Sequence, residues 1–199
     1  MTLMRVAGFL EPAGDRGDRR HRLLKPTERL MAIHREHWDF ELRAIAMLFP
    51  DVARAHAAIH REEFAAAFVR QIVEPFRAGF RLLELTPELL FLAERSAGLS
   101  ILFTLMGSGA ADDVMPPRRP VPMSISDLAR RYHVSRAHVL KLLRDAQARG
   151  LIAREGSDQL RLLPKLIEMV ELLFAIIFAF TANGACVAID QIERNERKS

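Results

Sequence analysis

Arg136, His138, Lys141 and Arg144 alternate with Val139, Leu142, Leu143 and Ala146, whose spacings of three and four residues define one apolar face of a helix. The cations fall on the other face. Guanidinium and ammonium groups so placed suit two tasks, hydrogen bonding to base edges and neutralisation of phosphates. Ser135 precedes them with a hydroxyl able to accept the first free N–H groups of that helix, and Arg136 and Ala137 form its opening residues.

The elements that must hold this face are legible on both sides of it. Upstream, Ile125 to Tyr132 reads as a short helix capped by Ser124 or Ser126, with Leu128, Ala129 and Tyr132 turned inward and a turn at His133-Val134. Downstream, Gly150 ends the second helix, and the runs 151–154 and 159–162 flank Glu155-Gly156-Ser157-Asp158, a polar turn joining two short strands. The order is helix, turn, helix, hairpin. Arg154 is the one cation in this hairpin placed for a phosphate, because Glu155 and Asp158 oppose strong minor-groove contact.

At Asp127-Leu128-Ala129, Val134-Ser135-Arg136, Val139, Leu143 and Gly150-Leu151-Ile152 the chain resembles winged helix-turn-helix transcription regulators, most of all the MarR-like group. The resemblance implies that the second helix enters the major groove, that its first residues reach base edges, and that the hairpin touches a neighbouring phosphate or the minor groove. The DNA-binding residues implied are Ser124, Ser126, Ser135, Arg136, Ala137, His138, Lys141, Arg144 and Arg154. Charge agrees with this. From Arg118 to Arg161 ten Lys and Arg stand against four carboxylates, so this segment alone exceeds the net +4 of the whole chain.

The chain has 199 residues, half of them apolar, enough for one large or two small domains with a buried core. A lone Cys186 excludes an internal disulfide and a cysteine-based zinc site, and no cleavable signal opens the chain, so a cytoplasmic setting is expected. The fold class expected is mainly α: a winged helix-turn-helix with small β-hairpin wings and long flanking dimerisation helices.

Five segments follow from composition. Residues 1–49 hold a wing-like hairpin and a helix: Gly8-Phe9-Leu10-Glu11 answers Gly150 to Ala153, and Arg22 to Pro26 answers Leu160 to Pro164, as in a first winged helix whose recognition helix is missing. Arg16, Arg19, Arg20 and Arg22 would lie where such a wing meets phosphate. The helix is expected from Pro26 to Phe49. Residues 50–107 form a helical region, with one helix capped by Asp51 and running to Pro75 and another from Thr86 to Gly107. Residues 108–122 are a proline-rich linker, 123–163 the winged module, and 164–199 a long apolar helix. Within that helix Leu172 to Ile189 carries no charge over 18 residues, which suits burial at the interface of a homodimer better than a membrane span.

Other constellations carry less. His56 and His60 with Glu63, and His34 with His37, have spacings that chelate zinc, but each pair stands among Arg and Glu on a solvated face. Phe64, Phe68, Phe76 and Phe80 could line a pocket for an apolar effector, or simply form core. No Gly-rich phosphate loop, no GxSxG and no HExxH pattern is present, so neither an enzyme nor a cofactor is expected. The reading is a sequence-specific, dimeric, duplex-DNA-binding regulator of transcription. Two alternatives stay open: a winged helix that serves protein interaction without reading DNA, and a membrane-tethered regulator.

Overall fold

The computed structural model describes residues 2–13 and 23–198. It is mainly helical, with small antiparallel sheets, and divides into two compact units, Met1–Gly79 with Phe178–Ser199 and Phe80–Ile177.

The first unit opens with helix α1 (Thr2–Val6), a turn at Gly8 with φ +72°, and strands β1 (Leu10–Pro12) and β2 (Leu24–Pro26). The strands pair antiparallel with Leu10 opposite Pro26 and Pro12 opposite Leu24. The arginines assigned to the connecting turn, Arg16, Arg19, Arg20 and Arg22, lie outside the described residues. Helix α2 spans Glu28–Ala46. It starts two residues later than the sequence suggests, because Pro26 is spent on the strand and the extended backbone of Thr27 provides the cap. The Thr27 hydroxyl accepts the Leu30 N–H at 3.4 Å and donates to the Gly8 carbonyl at 2.8 Å, fastening helix to hairpin.

A single helix from Asp51 to Pro75 is expected, yet the chain makes α3 (Val52–Ala57) and α4 (Glu62–Arg77). The break has a packing cause. In one straight helix Ile59 and Phe64 would point about 140° apart at 100° per residue, and both are buried. Interrupting the helix at 58–61 turns both into one core, which also holds Leu42, Ile45, Val52, Ala55 and Phe68. Asp51 makes no side-chain cap bond. Phe64 and Phe68 stack at 5.5 Å and are buried, and Trp38 meets Phe68 edge-on at 5.4 Å from the edge of that core.

The second unit contains α5 (Pro87–Ala93), α6 (Gly98–Met106), β3 (Val121–Pro122), α7 (Ile125–Arg131), α8 (Arg136–Ala148), β4 (Ile152–Glu155) and β5 (Gln159–Leu162). The one helix expected over 86–107 is bent by 110° between α5 and α6. Ala97 there adopts φ +59°, and a Cβ on Gly98 would lie 2.1 Å from the Leu92 carbonyl oxygen, a contact only glycine permits. The proline-rich segment ends as a strand: β3 joins a three-stranded sheet of order β3-β5-β4, with Val121 opposite Leu160 and Ile152 opposite Leu162. Leu142, Leu151, Leu160 and Leu166 are, like Leu89, fully buried in the core of this unit, each worth about 1.5–3 kcal/mol when removed from water.

Pro164 opens α9 (Pro164–Glu196), whose first part belongs to the second unit and whose remainder belongs to the first. Of the charge-free run 172–189, Ala182, Ala185, Ala188 and Ile189 are buried in the core of the first unit and Leu173 in that of the second. Leu172, Ala175, Ala179, Asn183 and Val187 recur every three or four residues as an exposed strip. By length and composition α9 could cross a membrane: its most apolar window has a mean hydropathy of 2.3, and 39% of that window is buried in the protein.

Candidate nucleic-acid interface

The interface is built on α7 and α8, and each terminus is fixed by its own residues. Ser124 caps α7 and accepts the Asp127 N–H at 3.2 Å; Ser126 is exposed in the first turn and makes no cap. At the far end Tyr132 leads into His133 with φ +52°, and the Val134 N–H returns to the Ala129 carbonyl at 3.0 Å, the closure that normally calls for glycine. Ser135 then caps α8 by accepting the His138 N–H at 3.0 Å. Gly150 closes α8 with φ +68°, and Leu151 donates to Ala146 at 3.0 Å while its side chain enters the core.

Val139, Leu142, Leu143 and Ala146 are buried on the inner face of α8. Arg136, Ala137, Lys141 and Arg144 are exposed on the outer one, as their spacing demands. Among the described residues none of Arg136, Lys141 and Arg144 has a hydrogen-bonding or ion-pair partner from its side chain. Carboxylates of the same unit, by contrast, are taken up by other arginines: Asp145 by Arg95, Asp127 by Arg130, and Glu155 by Arg161. The positive field of the outer face is therefore little offset by its neighbours.

His138 stands apart from that face. Its ring is half-buried, and Nε2 donates to the Ser96 carbonyl at 2.9 Å. Seven residues on, Asp145 pairs with Arg95, and four further on Arg149 lies over the Phe91 ring at 4.4 Å. These spacings of seven and four put all three on one edge of α8, and that edge grips the bend between α5 and α6. Nothing in the sequence near position 138 announces a partner 42 residues away.

In the hairpin, Arg154 is exposed and its guanidinium reaches the Ser157 carbonyl only at 3.4 Å. Arg161 is committed to Glu155 at 2.6 Å and to the Arg118 carbonyl at 3.1 Å. Arg131, which motif reasoning passed over, is exposed at the end of α7 with its guanidinium 5.7 Å from the Tyr132 ring. The signal for it was the Arg130-Arg131 pair just before the turn.

Two cavities bear on ligand binding. An open groove of about 560 Å³ runs beside α7, lined by apolar side chains such as Leu105 and Met123 together with Ser124, Asp127, Arg130 and Asp158. An apolar void bounded by Leu92, Ile101, Leu142 and Leu151 measures only about 20 Å³, too small for an organic effector. His56 is hydrogen-bonded to Asp39 at 2.8 Å, and among the described residues no group of three or more metal-binding side chains is assembled.

Comparison of the chain with protein-family models, curated proteins and solved structures finds no significant match.

Proposed function

We propose that this chain binds duplex DNA as a winged helix-turn-helix regulator of transcription, with α8 as its recognition helix. The observation that carries the reading is the outer face of α8. Arg136, Lys141 and Arg144 are exposed there, without side-chain partners among the described residues, on a helix capped at both ends. Leaving three cations unneutralised on one face costs little in water and is of use where phosphates replace their counterions. Arg136 and Ala137, at the free end of the helix, are assigned to base edges, and Lys141, Arg144 and Arg154 to phosphates. Ser124, Ser126 and Ser135 contribute helix ends from which backbone N–H groups meet the phosphate chain. His138 is assigned a positioning role, because its ring is bonded to Ser96.

Selection of genomic fragments on the immobilised protein, followed by sequencing, tests this reading. Enrichment of a shared short site supports it, and recovery of fragments no different from the input opposes it.

A second reading is favoured by one observation, the hydropathy of α9. The exposed strip from Leu172 to Val187 would face lipid in a membrane-tethered regulator. Recovery of the protein only in detergent-extracted membranes decides for it.

A further inference from the structure

The inner face of α2 lies in the core through Leu42 and Ile45, while its outer face, otherwise polar, carries a line of large apolar side chains that ends at the capping residue Met47. Ile33, Phe40 and Met47 recur every seven residues and are 48%, 67% and 84% exposed. Seven residues are close to two helical turns, so the three side chains form one straight ridge. Large apolar side chains lined up in water form a surface that gains by being covered.

Charge decides what covers it. Glu36 and Arg43, also seven residues apart, flank Phe40 on the same side of the ridge, and both are exposed. Within one helix they stand about 10 Å apart along the axis, too far to pair. Among the described residues neither has an ion-pair partner from elsewhere in the chain. In two copies of α2 laid antiparallel about a two-fold axis at Phe40, each residue n positions before Phe40 faces one n positions after it. Ile33 then meets the second copy's Met47, Phe40 meets Phe40, and Glu36 falls beside Arg43 of the other copy on the same side of the contact, twice by symmetry. A parallel pair would set Glu36 against the side occupied by His37 and Ala44 and leave both charges alone.

We propose that a second copy of this chain docks antiparallel along the Ile33-Phe40-Met47 ridge of α2, and that the reciprocal Glu36–Arg43 pairs fix its direction. The proposal is independent of DNA reading, since it uses no residue of α7, α8 or the hairpin. A contact along 19 residues of helix is at the small end of stable interfaces, so the dimer dissociates on dilution.

Sedimentation equilibrium of the full chain over a concentration series tests it. The parent should run as a reversible dimer, and Phe40→Glu as a monomer with unchanged helical circular dichroism, because Phe40 is mostly outside the core. Glu36→Arg and Arg43→Glu should each weaken the dimer at least tenfold by opposing like charges, and the double exchange should restore it. Ala179→Glu, on the exposed strip of α9, should leave the dimer intact. A parent that stays monomeric at all concentrations overturns the proposal. So does a dimer that survives Phe40→Glu, one lost with Ala179→Glu, or a double exchange that fails to rescue.

Discussion

His138 of α8 donates from Nε2 to the carbonyl oxygen of Ser96 at 2.9 Å and so ties the first turn of that helix to the bend between α5 and α6. The bond separates two neighbours in sequence into different tasks. His138→Ala removes a hydrogen bond and should lower stability by about 1 kcal/mol in urea unfolding. Arg136→Ala should change stability by less than about 0.5 kcal/mol, since the side chain is exposed. On a selected DNA site the order reverses, with Arg136→Ala costing about 1–3 kcal/mol and relaxing base choice. Equal loss of binding from both variants, at equal stability, would put His138 among the reading residues.

Gly98 sits where α6 turns away from α5, and a Cβ there would collide with the Leu92 carbonyl at 2.1 Å. Gly98→Ala must move backbone, and should lower stability by about 1–3 kcal/mol, as overpacking does. A variant with the parental melting temperature would mean that the bend is set by something other than this approach.

The Asp113 carboxylate accepts the backbone N–H groups of Arg119 at 2.9 Å, Val114 at 2.9 Å and Arg118 at 3.1 Å. These bonds, that of Arg119 first, hold its pKa below the ordinary carboxylate value. A depressed folded pKa gives a contribution to stability that is full above the unfolded value, about 3.9, and fades as pH falls through the folded one. Asp113→Asn should therefore be less stable than the parent near neutrality, and the two should converge below about pH 4. Urea midpoints measured across that range check it, and a gap that does not change with pH would contradict it.

The residues that build α7 and α8 were legible because their signals are local. Ser124 and Ser135 as caps, Gly150 as terminator, and Leu128, Val139, Leu142, Leu143 and Ala146 as inner face need only a few neighbours to be read, and each is found in that role. What escaped was set by distant contacts. His138 shares the polar side of α8 with Lys141 in any helical projection, and only the approach of Ser96 takes it away. The breaks at 58–61 and at Gly98 arise because Ile59 with Phe64, and Leu92 with Gly98, must meet in space, which periodicity along one helix does not record. The strand at Val121 was hidden among prolines, whose extended backbone suits a linker and a sheet edge alike.

α9 carries the longest charge-free run, yet Ala185, Ala188 and Ile189 are 0%, 0% and 3% exposed in the core of the first unit. If that core is the reason for the run, Ala185→Asp buries a carboxylate without a partner and should cost about 3–5 kcal/mol, a large part of the roughly 5–15 kcal/mol that holds an ordinary domain folded. The parent should then fractionate with soluble protein. A parent found only in membranes, together with an Ala185→Asp variant that melts as the parent does, would overturn this account of α9.

If the outer face of α8 lies on the phosphates and bases of a duplex, as proposed, the salt dependence of binding reports it most directly. Log binding constant against log salt concentration should be linear for the parent on its selected duplex. Lys141→Ala should lower the slope by about one unit and weaken selected and unrelated duplexes alike, whereas Arg136→Ala should weaken the selected duplex more. Parental slopes and affinities in both variants, or no salt-dependent binding to any duplex, would contradict it.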